Sequence, residues 1–190
     1  MLQKTYLKKV GKDLLAYSSK RRDVIKISGD ALHLSKRAIF AMHRDNMKEA
    51  AMKIKEAEKM FKGLNKKYSK DSRIQNEGSY KAGLEEYVEA VLLYQFLSVG
   101  KIGEIKTLPI TPEGYIAGLC DVPGELYRYS IKAATDNDIA TVKKCADMAA
   151  EITGELIEFN LTSYLRNKFD QAKSAVQKIE RVVYELSLRK

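Results

Sequence analysis

Apolar side chains recur at intervals of three and four residues along almost the whole chain, and this spacing constrains the fold most strongly. Nowhere do β-branched and aromatic residues alternate with polar residues for long enough to predict a strand. The chain has only three prolines, whereas an all-β chain needs frequent Pro and Gly turns. The pattern therefore predicts an all-α fold, a multi-helix antiparallel bundle.

Capping and helix-stop residues divide this pattern into six helices. Asp45 or Asn46 can cap the second helix, Gly100 stops the third, and Thr111 followed by proline opens the fourth. Residues 100–110 form the only long loop. The predicted helices run over about 2–44, 45 or 46 to 68, 71 or 72 to 99, 111–134, 136 or 137 to 159, and 163–189.

Two places inside these helices are expected to be irregular. Gly29-Asp30 is the expected weak point of the first helix. Pro123, inside the fourth, removes a backbone hydrogen bond, which costs about 3 kcal/mol in a regular helix interior. We therefore expect a kink between Asp121 and Glu125.

Size, cysteine content and hydropathy exclude several protein classes. A chain of 190 residues with 45% hydrophobic residues predicts a single domain, 1–190, with a real core. Cys120 and Cys145 are too few for a disulfide framework or a four-cysteine zinc site, which favours a reducing compartment. No apolar run approaches the roughly 18 residues that span a bilayer, and the N-terminus does not resemble a signal peptide. We expect a cytoplasmic protein with no membrane association.

Charge is distributed unevenly along the chain. The formal net charge is +9, with +12 in residues 1–70, −7 in residues 71–160 and +4 in residues 161–190. A basic first third beside an acidic centre is typical of a nucleic-acid binder with a buried carboxylate site. A lysine-rich solvated surface would give the same totals, so charge alone does not decide between them.

Two apolar helices carry paired acids. On the third helix Glu86 and Glu89 project about 60° apart, although Glu85 and Glu89 would also share a face. On the fourth helix Asp121 and Glu125 are about 40° apart among apolar neighbours. Four facing carboxylates repel one another unless a cation lies between them, and oxygen ligands without thiolates favour Mg²⁺ or Mn²⁺. Such a site can hydrolyse a phosphodiester.

Other interpretations of these acids stay open at this point. They could form ion pairs, for example Glu125 with Arg128 on its own helix. A di-iron site fails, because its Glu-x-x-His motif would need a histidine where neither His33 nor His43 lies. Helical nucleotide pyrophosphohydrolases, which bind Mg²⁺ through two acid pairs on neighbouring helices, remain an alternative.

Four blocks of the chain, in order and approximate spacing, resemble the translin/TRAX family, and the resemblance runs from about residue 20 to the C-terminus. They are KRAIFAMHR (36–44), LEEYVEA (84–90), GLCDVPGELYRYSIKA (118–133) and KIERVVYELSLR (178–189). The TRAX branch is the closer one, because both acidic blocks are intact. Mapped residue by residue, the resemblance makes Glu86, Glu89, Asp121 and Glu125 the catalytic and metal-binding carboxylates, and it selects Glu86 over Glu85.

The resemblance implies a translin-like fold of about seven helices and a Mg²⁺-dependent endoribonuclease that cleaves single-stranded RNA inside a hollow oligomer, with Mn²⁺ a possible substitute. A TRAX-like protein acting alone would form a homo-oligomer, an octamer by resemblance. Phosphate contacts are expected from five basic residues: Arg37, His43, Arg44, Lys81 and Arg128. The alternatives are a non-catalytic binder of single-stranded RNA or DNA and a nucleotide pyrophosphohydrolase.

Overall fold

The computed structural model describes residues 2–69 and 71–188, and these residues form helices connected by turns and one loop. The elements are α1 (Lys4–His43), α2 (Met47–Lys67), α3 (Gly78–Val99), α4 (Pro112–Thr135), α5 (Ile139–Leu156), a 3-10 helix (Ile157–Phe159) and α6 (Ser163–Ser187). The described residues contain no strand. The all-α class is confirmed, and the implied count of about seven is reached only if the short 3-10 helix is included.

The predicted caps are present at the helix starts. The Asn46 side chain accepts a hydrogen bond from the Glu49 backbone N–H at 3.1 Å, and the Thr111 hydroxyl accepts one from Gly114 N–H at 3.1 Å. Gly100 ends α3 in the left-handed conformation, with φ 71°. These local signals explain why the sequence predicted most helix boundaries closely.

Three expectations about the helices need correction or restriction. Helix α1 continues without a break through Gly29-Asp30. Helix α3 begins at Gly78 because residues 71–77 form turns, in which the Asp71 carboxylate pairs with Lys20 at 2.8 Å and Arg73 at 3.0 Å rather than capping a helix. Helix α4 runs through Pro123 as one segment, so the kink stays a prediction. The predicted last helical residue, Arg189, lies outside the described residues.

Helix α1 packs against α2 and α3, whereas α4 packs against α3, α5 and α6. The end of α1 contacts the start of α2, where Arg44 pairs with Glu49 at 3.5 Å. Near the middle of α1, Asp23 accepts a hydrogen bond at 2.7 Å from Tyr68, the residue that follows α2. The two helices are therefore antiparallel. Helix α3 lies at the centre and contributes the buried side chains Tyr87, Val88 and Leu92.

Within the part of the chain that the structure describes, no helix is both long and apolar enough to cross a membrane. The described part of α1 before Val24 buries no side chain in the single chain. Its exposed side chains include Leu7, Leu14 and Leu15.

Candidate active site

The two predicted acid pairs come together where α3 packs against α4. At Gly118 the helices approach so closely that a Cβ atom would lie 2.6 Å from Val88 Cγ1 and 2.9 Å from the Glu85 carbonyl oxygen. Val88 directly precedes Glu89, and Asp121 follows Gly118 by almost one helical turn. The close approach thus brings the two acid pairs together.

Glu86, Glu89, Asp121 and Glu125, here called the carboxylate cluster, lie within electrostatic reach of one another. Glu89 is only 7% exposed. Its burial, and then the negative charges of the other three acids, raise its pKa well above the usual range, against a smaller opposing effect of Lys168. No hydrogen bond or ion pair to Glu89 is formed within residues 2–69 and 71–188.

Asp121 is bonded to a lysine that comes from α6. Lys168 Nζ donates to both Asp121 and Glu85, and its side chain is only 11% exposed. Burial by itself would lower the pKa of Lys168, but its hydrogen bonds to the two acids outweigh that effect and raise it. The Tyr164 hydroxyl is within 2.8 and 2.9 Å of the two Glu85 carboxylate oxygens. Burial also raises the pKa of Asp121, although Lys168 opposes the rise.

The other two acids pair with basic residues of α1. His43 Nε2 donates to the Glu125 carboxylate, and the His43 side chain is 8% exposed. Lys36 Nζ lies 3.7 Å from the Glu86 carboxylate. Burial raises the pKa of Glu86, with Lys36 opposing it and the charges of Asp121 and Glu125 adding to it.

The donor chemistry suits a hard divalent cation, but three of the four carboxylates already contact basic side chains of the protein. In the described ranges, no three His, Cys, Asp or Glu side chains are arranged to hold a metal ion as they stand. Instead Lys36, His43 and Lys168 each contact one member of the carboxylate cluster. A Mg²⁺ ion would find four carboxylates here, and it would have to compete with two lysine ion pairs and the hydrogen bond between His43 and Glu125.

Three of the predicted basic residues surround one exposed ring. An open groove of about 600 Å³ runs beside α1, and we call it the basic groove. Its lining residues are His33, Lys36, Arg37, Phe40, Arg44, Glu49 and Lys53. Arg44 and, from α4, Arg128 place their guanidinium carbons 5.1 and 5.4 Å from the centre of the Phe40 ring.

Lys81 lies elsewhere and does not line this groove. It borders a different cavity, of about 650 Å³, together with Tyr80, Glu85 and Tyr164. The structure therefore gathers Arg37, Arg44 and Arg128 around the basic groove and separates Lys81 from them.

Residues 19–190 match the sequence profile of the Translin family. The chain belongs to the Translin family. It is 28% identical over 165 residues to the uncharacterized protein MJ0175 of Methanocaldococcus jannaschii, covering 84% of this chain and 73% of that protein. It is 26% identical over 219 residues to translin-associated protein X (TRAX) of Pongo abelii, covering 93% of this chain and 76% of that protein. The resemblance to the translin/TRAX family is confirmed.

Solved structures agree with this translin-family fold. The crystal structure of AfC3PO superposes with a TM-score of 0.88 at 23% identity, covering 97% of this chain and 98% of that chain. The structure of the AfC3PO duplex RNA complex gives a TM-score of 0.85 at 20% identity, with coverage of 97% and 98%. At these identities the likeness establishes the translin-like fold.

The sequence analysis of this translin-family chain did not predict Lys168, nor that Glu85 contacts Lys168 and Tyr164. Lys168 occupies a position on the buried stripe of α6 that continues through Ala172, Ala175 and Ile179. A lysine at an apolar-stripe position is a signal that could have been noticed, because buried lysines are almost always paired. The ion pair of Glu125 with Arg128, given above as an alternative interpretation of these acids, is not formed, since Glu125 contacts His43 and Arg128 lies over Phe40.

Proposed function

We propose that this translin-family protein is a Mg²⁺-dependent endoribonuclease that cleaves single-stranded RNA at the carboxylate cluster. The proposal depends on one observation, the burial of Glu89 beside three further carboxylates. Burying like charges together is costly unless a cation is bound among them. A role in RNA chemistry agrees with the family and with a structural neighbour solved as a complex with duplex RNA.

Glu86, Glu89, Asp121 and Glu125 would hold Mg²⁺, or Mn²⁺ in its place, because both ions prefer oxygen ligands. When bound, the ion would lower the pKa of a water molecule and stabilise negative charge on a phosphoryl oxygen. Lys36, His43 and Lys168 each contact one of these acids and would have to be displaced by the ion. We expect the metal affinity to depend on how readily these three side chains release their acids.

The released basic side chains would then serve the substrate. Lys36 lines the basic groove, so it can contact a phosphate of the RNA once it leaves Glu86. His43 Nε2 faces the Glu125 carboxylate, and an N–H at this nitrogen would hydrogen-bond a phosphate oxygen once Glu125 binds the ion. Arg37 and Arg44 would bind neighbouring phosphates, which positions RNA without reading its sequence.

Attack by water predicts specific reaction products. Water that attacks the phosphorus leaves a 5′-phosphate and a 3′-hydroxyl, whereas attack by the RNA's own 2′-hydroxyl leaves a cyclic phosphate. Products that carry a cyclic phosphate would therefore contradict the proposed mechanism.

The test is cleavage of end-labelled single-stranded RNA with Mg²⁺, with Mn²⁺ and with EDTA. The variant carries Glu89→Gln and Glu125→Gln, which replace two of the proposed metal-binding carboxylates and keep the side-chain shape. Loss of a residue that only supports a metal ligand lowers metal affinity or activity by about 10- to 100-fold. We therefore expect this variant, which lacks two ligands, to cleave RNA more than about 100-fold more slowly. The control carries Glu155→Gln and Glu158→Gln, two exposed acids with the same three-residue spacing as Glu86 and Glu89, and should cleave normally.

The contacts that Lys36, His43 and Lys168 make with the acids also suit a second candidate, a translin-type binder of single-stranded RNA or DNA in which the acids are structural. That protein would retain RNA on a filter without cutting it, and the double variant would keep or gain affinity. A nucleotide pyrophosphohydrolase would instead hydrolyse free nucleoside triphosphates and leave the RNA intact.

We also propose a homo-oligomer, an octamer by the resemblance. The exposed apolar side chains at the start of α1 give it a surface to bury. Light scattering coupled to gel filtration would measure the subunit number directly, and a monomer at micromolar concentration would contradict it.

A further inference from the structure

Phe40 is an exposed aromatic residue whose side chain lines the basic groove. It is 50% exposed, although its neighbours in sequence, Ile39 and Ala41, are buried in the core. An isolated exposed phenyl ring needs no explanation. This ring, however, lies under two guanidinium groups and beside the carboxylate cluster.

The two guanidinium groups come from different helices. Arg44 directly follows the last residue of α1 and lies about one helical turn from Phe40, whereas Arg128 belongs to α4. Arg128 follows Glu125 by three residues, and Lys36 of the same groove contacts Glu86. The ring thus lies next to the site where the proposed cleavage occurs.

The chemistry of the groove favours one kind of occupant. Basic side chains line it, including Lys36, Arg37 and Lys53, and its acid Glu49 already contacts Arg44 at 3.5 Å. Basic residues bind phosphates, whereas phenyl rings and guanidinium planes stack on the flat faces of bases. A chain that carries both phosphates and accessible base faces is a single-stranded nucleic acid, because a duplex keeps its base faces stacked.

We propose that Phe40, with the guanidinium groups of Arg44 and Arg128, forms a stacking platform for an unpaired nucleobase. The platform selects single-stranded over duplex RNA and holds the strand beside the carboxylate cluster. This inference rests on the RNA-binding part of the proposed function and adds the residues that would recognise an unpaired base. It does not depend on cleavage.

The absence of tryptophan from the sequence gives a direct assay. Phe40→Trp introduces a single indole, whose emission should be quenched when a base stacks on it. The matched control is Phe159→Trp, since Phe159 is 55% exposed, similar to Phe40, but lies in the 3-10 helix. A ten-nucleotide single-stranded RNA and a blunt duplex of equal length are titrated in EDTA, so that neither is cut. Quenching of the residue-40 indole by the single strand only is expected; equal quenching by the duplex, or none by either, would overturn the proposal.

Affinity provides the second measurement. Phe40→Ala should weaken single-strand binding by about 5- to 150-fold, the range that removal of one stacking aromatic produces, and Phe40→Trp should retain it. Full affinity in Phe40→Ala would overturn the inference. So would an altered subunit number, which would mean that the ring packs between copies of the chain. These titrations contain no Mg²⁺ and therefore measure binding alone. If the protein stacks RNA on Phe40 but does not cut it in the cleavage assay, the nuclease proposal is wrong and the stacking platform stands.

Discussion

Lys168 is the residue that most constrains the acidic side chains. Its Nζ is shared between Asp121 and Glu85, and Tyr164 contacts the same Glu85 carboxylate. The lysine is buried, whereas both acids keep some contact with solvent. Removing it would leave two acids without their cation in a poorly hydrated place.

We expect Lys168→Met, which keeps the length of the side chain, to lower the free energy of unfolding by about 2–3 kcal/mol. This is less than the 3–5 kcal/mol typical of fully buried pairs, because both acids remain partly solvated. Chemical denaturation in EDTA measures the change, and added Mg²⁺ should restore part of it. Lys173→Met is the matched control: Lys173 lies five residues later on α6 and pairs with Asp170, which is exposed. A similar loss in the two variants would contradict the assigned role of Lys168.

The raised pKa of Glu89 predicts that the stability of the folded protein depends on pH. Its raised pKa means that the folded protein keeps the proton at a pH where the unfolded chain has released it. The contribution of Glu89 to stability is therefore complete below the unfolded pKa and is lost as the pH rises toward the folded one. We expect Glu89→Gln to raise the melting temperature in EDTA at pH 8 and to have little effect near pH 4.5. A difference independent of pH, or one also seen with Glu155→Gln, would contradict this explanation.

Among the helices, the contact between α3 and α4 decides whether the acid pairs meet. Gly118→Ala places a methyl group against Val88 and against the Glu85 carbonyl oxygen, and the backbone cannot move aside easily. We expect a loss of about 1–3 kcal/mol, as for other overpacked sites, measured by urea denaturation. Gly124→Ala, on the same helix, meets nothing within 4 Å and should be neutral or stabilising by up to about 1 kcal/mol. A neutral Gly118→Ala would show that the helices can separate freely.

In the folded molecule, part of the excess of basic residues in the first third of the chain is concentrated at the basic groove. Arg37 and Arg44 of that third line the basic groove, where Arg128 of α4 joins them at the Phe40 ring. Binding of single-stranded RNA in EDTA should therefore weaken with salt, and Arg37→Ala should reduce the slope of log K against log salt by about 0.7. Lys143→Ala, an exposed change on α5, should leave the slope unchanged. If Arg37→Ala and Lys143→Ala give the same slope, the RNA phosphates do not contact Arg37 and the prediction is wrong.

Local signals were sufficient for most of the helices, whereas the choice of Glu86 over Glu85 came from the family resemblance. Periodic apolar residues and caps such as Asn46 and Thr111 act within one or two turns, so the all-α class and most helix boundaries could be predicted from the residues alone. The start of α3 was wrong because the Asp71 carboxylate pairs with Lys20 of α1, a contact 51 residues away that no local pattern contains.

Because helix formation depends on near neighbours, the order of the residues was enough to predict which helices form and which of them carry charge. The tertiary structure alone decided what each charge contacts: Lys168 bonds Asp121 and Glu85, His43 bonds Glu125, and Arg128 lies over Phe40 rather than beside Glu125. The physical reason is that burial makes a charge depend on its partner, and three-dimensional packing brings that partner from a distant helix.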